Sequence, residues 1–236
     1  MSETLERRGA VAVIGAGPHG LTALKSLLAH GIPADGFDRA DGVGGNWRFG
    51  APTSRVYEST HLISSKPFTQ FPDFPMPDDY PDYPGHRQVL AYFERYAEHF
   101  GLTERILFDT EVVVVQEVAD GPPGAFGGPR WDVTIRRADA GEVAGTAGGS
   151  DADTSPTTTL RYDAVVIANG HNWYPKIPAY PGLDDFAGEV LHSADYKSAD
   201  QVRGRRVLVV GAGNTGCDIA VEAAQNATAT FHSTRR

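Results

Sequence analysis

Cysteine is almost absent from the sequence, in which Cys217 is the only one. A single cysteine cannot form a disulfide within the chain, and no C-x-x-C pair exists, so dithiol redox chemistry within the chain is excluded. We predict that Cys217 packs against a sheet, because it lies one turn into a predicted helix and behaves as a small apolar residue. The eight histidines lack metal-ligand spacing, so the sequence predicts no metal site.

Long apolar runs and basic clusters are also lacking. No apolar stretch approaches the roughly 20 residues that a membrane-spanning helix needs, and the opening MSETLERRGA has no apolar signal-peptide core. We therefore expect a cytoplasmic protein without a membrane partner. The formal net charge is -9 and no run is rich in lysine and arginine, so nucleic acid is not an expected partner.

What the sequence does contain is an ordinary globular composition and one phrase that occurs twice. Of its 236 residues, 41% are hydrophobic and 22% are charged, which suits one large or two small domains. Residues 9–20 read GAVAVIGAGPHG and residues 205–216 read RRVLVVGAGNTG. Each copy is an apolar strand-like run followed by a glycine-rich turn and a helical pattern. This arrangement is typical of βαβ dinucleotide-binding units, so two copies predict two dinucleotides.

Each glycine of the G-x-G-x-x-G pattern has a physical role. Gly15 permits the tight turn out of the strand, Gly17 lets the backbone approach a pyrophosphate, and Gly20 allows the helix to pack closely on the strand. The N–H groups and partial positive charge of the helix N-terminus then face the phosphates. The second turn offers the corresponding residues Gly211, Gly213 and Gly216.

The residues beyond each turn distinguish the two nucleotides. Asp38 lies about 20 residues after the first turn, at the end of the predicted second strand, where a carboxylate can accept hydrogen bonds from both ribose hydroxyls of an adenosine. The matching strand of the second unit ends in Ser233, Thr234, Arg235 and Arg236, with no acid. Hydroxyl and guanidinium groups can bind a 2′-phosphate that a carboxylate would repel. We infer FAD or NAD in the first site and NADPH in the second.

The remaining patterns predict alternating helices and strands. Helical spacing of apolar residues covers 21–28 and 89–100, and strand-like runs cover 32–40, 112–115, 131–136 and 162–168. Residues 138–159 have almost no apolar bulk and predict a flexible surface loop. The sequence thus predicts an α/β, Rossmann-like fold with a parallel sheet, a β-meander and the start of a second βαβ nucleotide-binding domain. We expect an FAD-binding domain over 1–170, and a linker with the first part of an NADPH-binding domain over 171–236.

Four segments carry a family resemblance: GGNWRF at 44–49, YESTHLISSK at 57–66, FPDFPMPDDYPDYPGHRQVLAYFERYAEHFGL at 71–102 and FAGEVLHSADYK at 186–197. In this order they resemble the flavin-containing monooxygenases, the class B flavoprotein oxygenases. The last segment matches the family fingerprint F-x-G-x-x-x-H-x-x-x-[YF] at Phe186, Gly188, His192 and Tyr196. The related Baeyer-Villiger enzymes carry tryptophan at the final position, so Tyr196 favours the branch that oxygenates heteroatoms.

The resemblance implies two cofactors and a reaction. NADPH reduces FAD, the reduced flavin captures O₂ as a C4a-hydroperoxide, and one oxygen atom passes to a soft nitrogen or sulfur nucleophile of a small-molecule substrate. The residues assigned to FAD, by the first turn and by the resemblance, are Gly15, Gly17, Pro18, His19, Gly20, Asp38, Gly44, Gly45, Asn46, Trp47, Val112, Asn169 and Gly170. Those assigned to NADPH are Gly211, Gly213, Asn214, Thr215, Gly216, Ser233 and Arg235.

Two positions depart from the family pattern. Where Y-x-S-x-x-x-N-x-S-K places an asparagine beside the flavin, this chain has Ile63, which cannot donate a hydrogen bond. We hypothesise that NADP⁺ and the neighbouring Ser64 hold the oxygenated flavin, or that it is held poorly. An uncoupled NADPH oxidase or flavin reductase, and a non-catalytic flavin-binding subunit, are therefore the alternative functions. The family's Ala-Thr-Gly turn has Asn169 in place of threonine, and an amide still forms hydrogen bonds.

The resemblance also raises the question of chain length. Family members normally continue past the second βαβ unit, whereas this sequence ends at Arg236. The explanations are a two-chain enzyme, a truncated product, or a small domain with a different task. We expect a second polypeptide that supplies the C-terminal half, or a homo-oligomer, because a half-built sheet leaves an unpaired edge and exposed apolar surface.

Overall fold

A computed structural model of the chain describes residues 4–137 and 156–235. The chain forms two compact units, one made of Met1–Ser54 and His61–Trp173, the other of Arg55–Thr60 and Tyr174–Arg236. The sequence pattern predicts a domain boundary after residue 170, and no pattern marks the segment 55–60 as part of the second unit. The loop predicted over 138–159 lies outside the described residues as far as 155, and residues 157–159 begin a strand instead.

The first unit contains three α-helices and six strands within the described ranges. The helices are α1 (Pro18–Ala29), α2 (Lys66–Thr69) and α3 (His86–His99). The strands are β1 (Leu5–Ile14), β2 (Ala34–Phe37), β3 (Ile106–Leu107), β4 (Thr110–Val118), β5 (Arg130–Arg137) and β6 (Thr157–Ile167).

The six strands form one mixed sheet in the order β3-β2-β1-β6-β5-β4. Strands β3, β2, β1 and β6 run parallel, whereas β6, β5 and β4 form an antiparallel meander. Ile14 of β1 is paired with Phe37 of β2 and with Ile167 of β6, so these three strands end at the same edge. The parallel sheet and the meander confirm the predicted Rossmann-like α/β fold.

Alternate residues of β1 enter two different cores, as expected because side chains point to opposite faces along a strand. Val11 and Val13 pack with buried residues of α1 and α3, the two helices predicted from apolar spacing. Ala10 and Ala12 pack on the other face, in a core that includes Phe37 from β2 and residues of β5 and β6. The sheet is therefore covered on both faces near the end that carries the first glycine turn.

The second unit contains β7 (Arg206–Val210), α4 (Asn214–Asn226) and β8 (Ala229–Ser233), with the two strands parallel. This confirms the predicted start of a second βαβ domain. Ile219 and Ala223 of α4 are buried with Val209 of β7. The prediction that Cys217 packs on the sheet is wrong, because its side chain is exposed. Residues two apart on a helix point in nearly opposite directions, so Cys217 cannot share the buried face of Ile219.

Residues 4–137 and 156–235 contain neither a candidate membrane-spanning helix nor a candidate metal site. None of the helices in these ranges has both the length and the apolar character that crossing a membrane requires. Their histidine, cysteine and acidic side chains form no group of three that could hold a metal ion.

Candidate functional site

The first glycine turn joins the end of β1 to the start of α1. Gly15 has a left-handed φ of +105°, and a Cβ there would lie 2.5 Å from Ala168 O. A Cβ on Gly20 would overlap the carbonyl oxygen of Gly15. The turn, α1 and the end of β6 thus approach one another so closely that side chains are excluded at both glycines. Pro18 begins α1, where a helix tolerates proline, and His19 beside it is exposed.

The residues predicted to lie beside the flavin are packed on this turn. Gly44 N–H donates a hydrogen bond to Ala16 O at 3.0 Å. A Cβ on Gly45 would lie 3.0 Å from Gly17 Cα, so glycine backbone meets glycine backbone where the two loops touch. A short 3-10 helix follows and carries the other two predicted residues, Asn46 and Trp47.

Asp38 follows β2 and is hydrogen bonded to the first glycine turn. Its Oδ2 accepts a hydrogen bond from Ala16 N–H at 2.6 Å, and its Oδ1 accepts one from Ala40 N–H at 2.8 Å. Burial raises the pKa of Asp38 above its ordinary value, although both N–H donors favour the ionised form. A carboxylate offers about four acceptor positions, so about two remain for ribose hydroxyls. Val112 lies nearby on β4, two residues beyond Thr110, whose N–H donates to Asp38 O at 2.9 Å.

Asn169 and Gly170 follow β6 at the same edge of the sheet. The Ala168 N–H continues the pairing of β6 with β1 as far as the glycine turn. Asn169 O accepts a hydrogen bond from the Trp173 indole N–H at 2.7 Å. The Trp173 ring covers the guanidinium of Arg39, with 4.1 Å between the Arg39 Cζ and the ring centroid. No sequence pattern predicted a role for Arg39 or Trp173, and the available signal was a cation directly after the carboxylate that follows β2.

The second glycine turn has the same local geometry. Gly211 has a φ of +112°, its N–H donates to Ser233 O at 2.8 Å, and a Cβ on Gly216 would overlap its carbonyl oxygen. His232 Nε2 lies 2.8 Å from Gly211 O, a contact that no sequence pattern predicted. Arg235 is exposed beyond β8. The start of α4 contains the other predicted residues, Gly213, Asn214 and Thr215.

Two buried tyrosines attach other parts of the chain to α4. The Tyr196 hydroxyl donates to Glu222 at 2.6 Å, and the Tyr57 hydroxyl donates to Asp218 at 2.6 Å. The two rings meet edge to face, with 5.7 Å between their centroids. Burial, together with the carboxylate partners, raises the pKa of both phenols well above the ordinary value. Both the fingerprint segment and the segment 55–60 are thereby joined to the helix that follows the second glycine turn.

Four further residues predicted from the sequence, Ile63, Ser64, Phe186 and His192, take no part in the contacts of the two glycine turns or of the two buried tyrosines described above. Ile63 is 64% exposed and Ser64 is exposed, in the loop that precedes α2. Phe186 is 60% exposed, and His192 accepts a hydrogen bond from Ala194 N–H at 3.1 Å within its own turn. The catalytic roles of Ile63 and Ser64 stay predictions.

Both glycine turns fit the diphosphate of a dinucleotide. The N-cap residues are Gly17 for α1 and Gly213 for α4, and neither helix has a side-chain hydrogen bond that caps its first turn. The first N–H groups of a helix have no acceptor within it, so they are available here to phosphate oxygens. The residues present therefore suit two dinucleotide cofactors.

Comparisons with known proteins agree with this geometry. The family model described as flavin-binding monooxygenase-like matches residues 8–236. The chain is 38% identical over 231 residues to the putative N-oxide-forming dimethylaniline monooxygenase 6 of Homo sapiens, covering 95% of this chain and 39% of that protein. It is 38% identical over 218 residues to flavin-containing monooxygenase 3 of Rattus norvegicus, covering 90% of this chain and 37% of that protein.

A solved structure gives the same result. The S-allyl-L-cysteine S-oxygenase from Allium sativum superimposes with a TM-score of 0.80 at 25% identity, covering 98% of this chain and 52% of that chain. The present chain spans about two fifths of the length of the two curated relatives. From the family match and the two glycine turns we conclude that the chain belongs to the flavin-binding monooxygenase-like family, which implies FAD and NADPH as its cofactors.

Proposed function

We propose that this chain forms the FAD-binding part and the start of the NADPH-binding part of a monooxygenase. The enzyme inserts one oxygen atom from O₂ into a soft nitrogen or sulfur nucleophile of a small molecule, by way of a flavin C4a-hydroperoxide. NADPH supplies the two electrons, and the second oxygen atom leaves as water. The substrate class is supported by Tyr196 at the end of the fingerprint, and by relatives whose names describe N-oxide formation and S-oxygenation.

The packing of the Gly44–Gly45 backbone on the first glycine turn is the observation that carries this proposal. A glycine turn alone is common to many nucleotide-binding proteins. Here a second segment without side chains lies against it, through the Gly44 N–H to Ala16 O hydrogen bond, and Asp38 keeps acceptor positions beside the turn. The family match then favours FAD over NAD in this unit.

The chain's own residues bind and orient the two cofactors. In the proposed FAD-binding domain, residues 1–170, the N–H groups of α1 bind the diphosphate and Asp38 accepts hydrogen bonds from the ribose. In the proposed linker and NADPH-binding part, residues 171–236, the N–H groups of α4 bind the diphosphate. Ser233 and Arg235 bind the 2′-phosphate, because β8 ends without a carboxylate that would repel it.

A partner is part of the proposal, because the chain spans only about two fifths of its curated relatives. We propose that a second polypeptide supplies the remaining part of the enzyme, or that copies of this chain associate. Native mass spectrometry of the protein as isolated tests this directly. A complex that contains FAD and a second polypeptide or a second copy supports the proposal, whereas a monomer that oxygenates substrate alone contradicts the need for a partner.

Cofactor binding and turnover test the proposed activity. We expect the isolated protein to bind FAD, and the active assembly to oxidise NADPH in preference to NADH while it oxygenates a tertiary amine or a thioether. Failure of both the isolated chain and its native complex to bind FAD would overturn the proposal.

Ile63 provides the test against an uncoupled oxidase, the alternative function that its apolar, exposed side chain favours. The measurement is the ratio of oxygenated product to hydrogen peroxide during NADPH oxidation. Stoichiometric peroxide with every amine and thioether tested assigns the chain to an oxidase instead. If the wild-type protein leaks peroxide, Ile63→Asn should raise the product-to-peroxide ratio, because an amide can donate the missing hydrogen bond.

A further inference from the structure

Arg39 and Trp173 form a stacked pair in the first unit that the proposed function does not use. The Arg39 Cζ lies 4.1 Å from the centroid of the Trp173 ring, within the range of a cation–π contact. The Arg39 Nε is buried and has no hydrogen-bond partner in the part of the chain that the structure describes. Buried donors normally have an acceptor, so the missing acceptor points to an atom from outside the chain.

The chain takes a strained path to bring Trp173 over Arg39. Between β6 and Trp173, Gly170 has a φ of +73° and Asn172 has a φ of +68°. A left-handed residue other than glycine is uncommon, and such strain clusters at ligand sites. The hydrogen bond from the Trp173 indole N–H to Asn169 O then fixes the orientation of the ring. The segment that follows β6 is therefore shaped to hold an aromatic ring at this edge of the sheet.

The pair lies where the base of a bound adenosine belongs. Arg39 directly follows Asp38, the carboxylate that keeps acceptor positions for ribose hydroxyls beside the glycine turn. The base is bonded to the same ribose, only a few bonds from those hydroxyls. A purine has flat π faces and ring-nitrogen acceptors, which complement an indole, a planar cation and an unpartnered N–H group.

We propose that Arg39 and Trp173 form the adenine platform of the first nucleotide site and make this site selective for FAD over FMN. The inference rests on the proposed binding of FAD to the first unit. The adenine stacks on the pair, and one of its ring nitrogens accepts a hydrogen bond from the Arg39 side chain. FMN has no adenine and makes no contact with the platform. A variant that weakens FAD but not FMN has therefore lost adenine recognition, whereas a variant that weakens both has a general defect in the fold.

Flavin titrations of the Trp173→Ala chain test the platform, with FAD and FMN as ligands and ADP as a competitor of FAD. We expect the dissociation constant of FAD and the inhibition constant of ADP to rise about tenfold, as for the loss of one base–aromatic stack. The dissociation constant of FMN should not change. Trp173→Phe, which keeps a ring, should restore most of the FAD affinity. Arg39→Lys keeps the charge but not the planar group, and should weaken FAD several-fold.

Trp131→Phe is the matched control, because Trp131 lies on β5 and is paired with Tyr162, far along β6 from the glycine turn. It should change none of the three constants. Unchanged FAD and ADP constants in Trp173→Ala, or an equal loss for FMN, overturn the platform while the proposed function stands. A wild-type protein that binds neither FAD nor ADP overturns both. If Trp173→Ala unfolds, Arg39→Lys decides, and an unchanged FAD-to-FMN preference in that variant overturns the platform.

Discussion

Substitution of Gly17 should affect nucleotide binding without affecting the stability of the fold. Its φ of -74° is open to any residue, and a Cβ there would meet only Gly45 Cα, at 3.8 Å. We predict that Gly17→Ala leaves the free energy of unfolding of the flavin-free chain within about 1 kcal/mol of the wild type. The methyl group would stand between the turn and a diphosphate, so the FAD dissociation constant, measured by flavin fluorescence, should rise about tenfold or more.

Gly20→Ala is the matched control for this substitution. Its Cβ would overlap Gly15 O, so this variant should have a lower melting temperature even without FAD. The interpretation of Gly17 fails if Gly17→Ala binds FAD as the wild type does, or if it loses as much stability as Gly20→Ala.

Asp163 is a second residue with a sharp prediction, because it is the centre of a buried ion-pair network. It accepts hydrogen bonds from Gly9 N–H, Ala125 N–H and Arg130 Nε at 2.8, 3.0 and 3.0 Å. The side chains of Asp163 and Arg130 are 4% and 9% exposed. Asp163→Asn leaves the buried Arg130 guanidinium with Glu6, which is 42% exposed, as its remaining carboxylate partner, so we predict that the free energy of unfolding falls by about 2 kcal/mol in urea titrations.

The same network gives stability a defined pH dependence. Burial opposes ionisation of Asp163, but the two backbone N–H donors and Arg130 prevail and hold its pKa below the ordinary value of 3.8. The stability that Asp163 contributes is therefore complete above about pH 4 and is lost as the pH falls through its lower folded-state pKa. Asp132→Asn is the control, because the Asp132–Arg161 pair is about a quarter exposed and should contribute under about 1 kcal/mol. Equal losses for the two variants would contradict this account.

Among single residues, the sequence predicts those at which the local backbone geometry requires a particular amino acid. The glycines of both turns and Asp38 fall in this class, because a tight turn, a close approach or a strand end restricts each of them through its neighbours along the chain. Arg39, Trp173 and His232 fall outside it. Each of these side chains is positioned by a contact with a residue distant in sequence, and such contacts produce no local sequence pattern.

At the scale of elements, α4 is held by two phenol–carboxylate hydrogen bonds one helical turn apart, from Tyr57 to Asp218 and from Tyr196 to Glu222. We predict that Tyr196→Phe and Tyr57→Phe each lower the free energy of unfolding by about 1–2 kcal/mol, because a hydrogen bond to a charged group is lost. The loss of unfolding free energy in the double variant should differ from the sum of the two single losses, because the two rings are in contact. Thermal unfolding in a double-mutant cycle measures this coupling.

These tyrosines also predict behaviour in alkali. Their raised pKa means that the stability they contribute is complete below about pH 10, the ordinary pKa of tyrosine, and is lost as the pH rises through the folded-state value. Tyr174→Phe is the control for the stability measurement, since Tyr174 belongs to the same unit and is 87% exposed, so its substitution should leave the free energy of unfolding unchanged. If the phenolate absorbance of Tyr196 and Tyr57 develops near pH 10, the ordinary pKa of tyrosine, the buried hydrogen bonds are absent in solution.

The helices and strands that the sequence predicts well are those in which apolar residues recur with a clear helical or strand spacing. The apolar residues of α3 recur at helical spacing and are buried as expected. Strand β3 escapes prediction, because two residues carry no period and pair only through β2. The first half of β1 escapes as well, since its charged residues Glu6 and Arg7 are held in the sheet by pairing with β6 rather than by apolar character.

At the scale of the whole molecule, the chain presents one sheet face without a covering layer among the described residues. Leu208, Val210 and Phe231 of β7 and β8 are 62%, 54% and 51% exposed, on the face opposite to α4. Contiguous exposed apolar groups of this kind favour association. We predict that the isolated chain self-associates with rising concentration in sedimentation experiments, and that the double variant Leu208→Thr, Phe231→Thr remains monomeric with an unchanged melting temperature.

Val209→Thr serves as the control for that surface. Val209 is 9% exposed and packs towards α4, so a hydroxyl there should lower stability without reducing self-association. The surface is not the cause of association if the exposed-face double variant associates as strongly as the wild type.

The sequence predicts two nucleotide-binding units from the repeated glycine phrase. It does not predict that residues 55–60 belong to the second unit. Tyr57 reads as part of a motif that runs on into the first unit, and its burial beside Tyr196 depends on residues about 140 positions later.

This interleaving constrains how the protein can be made. A ribosome that adds about 5–20 residues per second releases Tyr57 about 7–28 seconds before Tyr196, and longer before Asp218. During that interval the nascent first unit must leave residues 55–60 without their final neighbours. The second unit therefore cannot fold from one contiguous segment of the chain. If the gene were split between codons 60 and 174, the two translation products would have to associate before Tyr57 could form its hydrogen bond with Asp218 of α4.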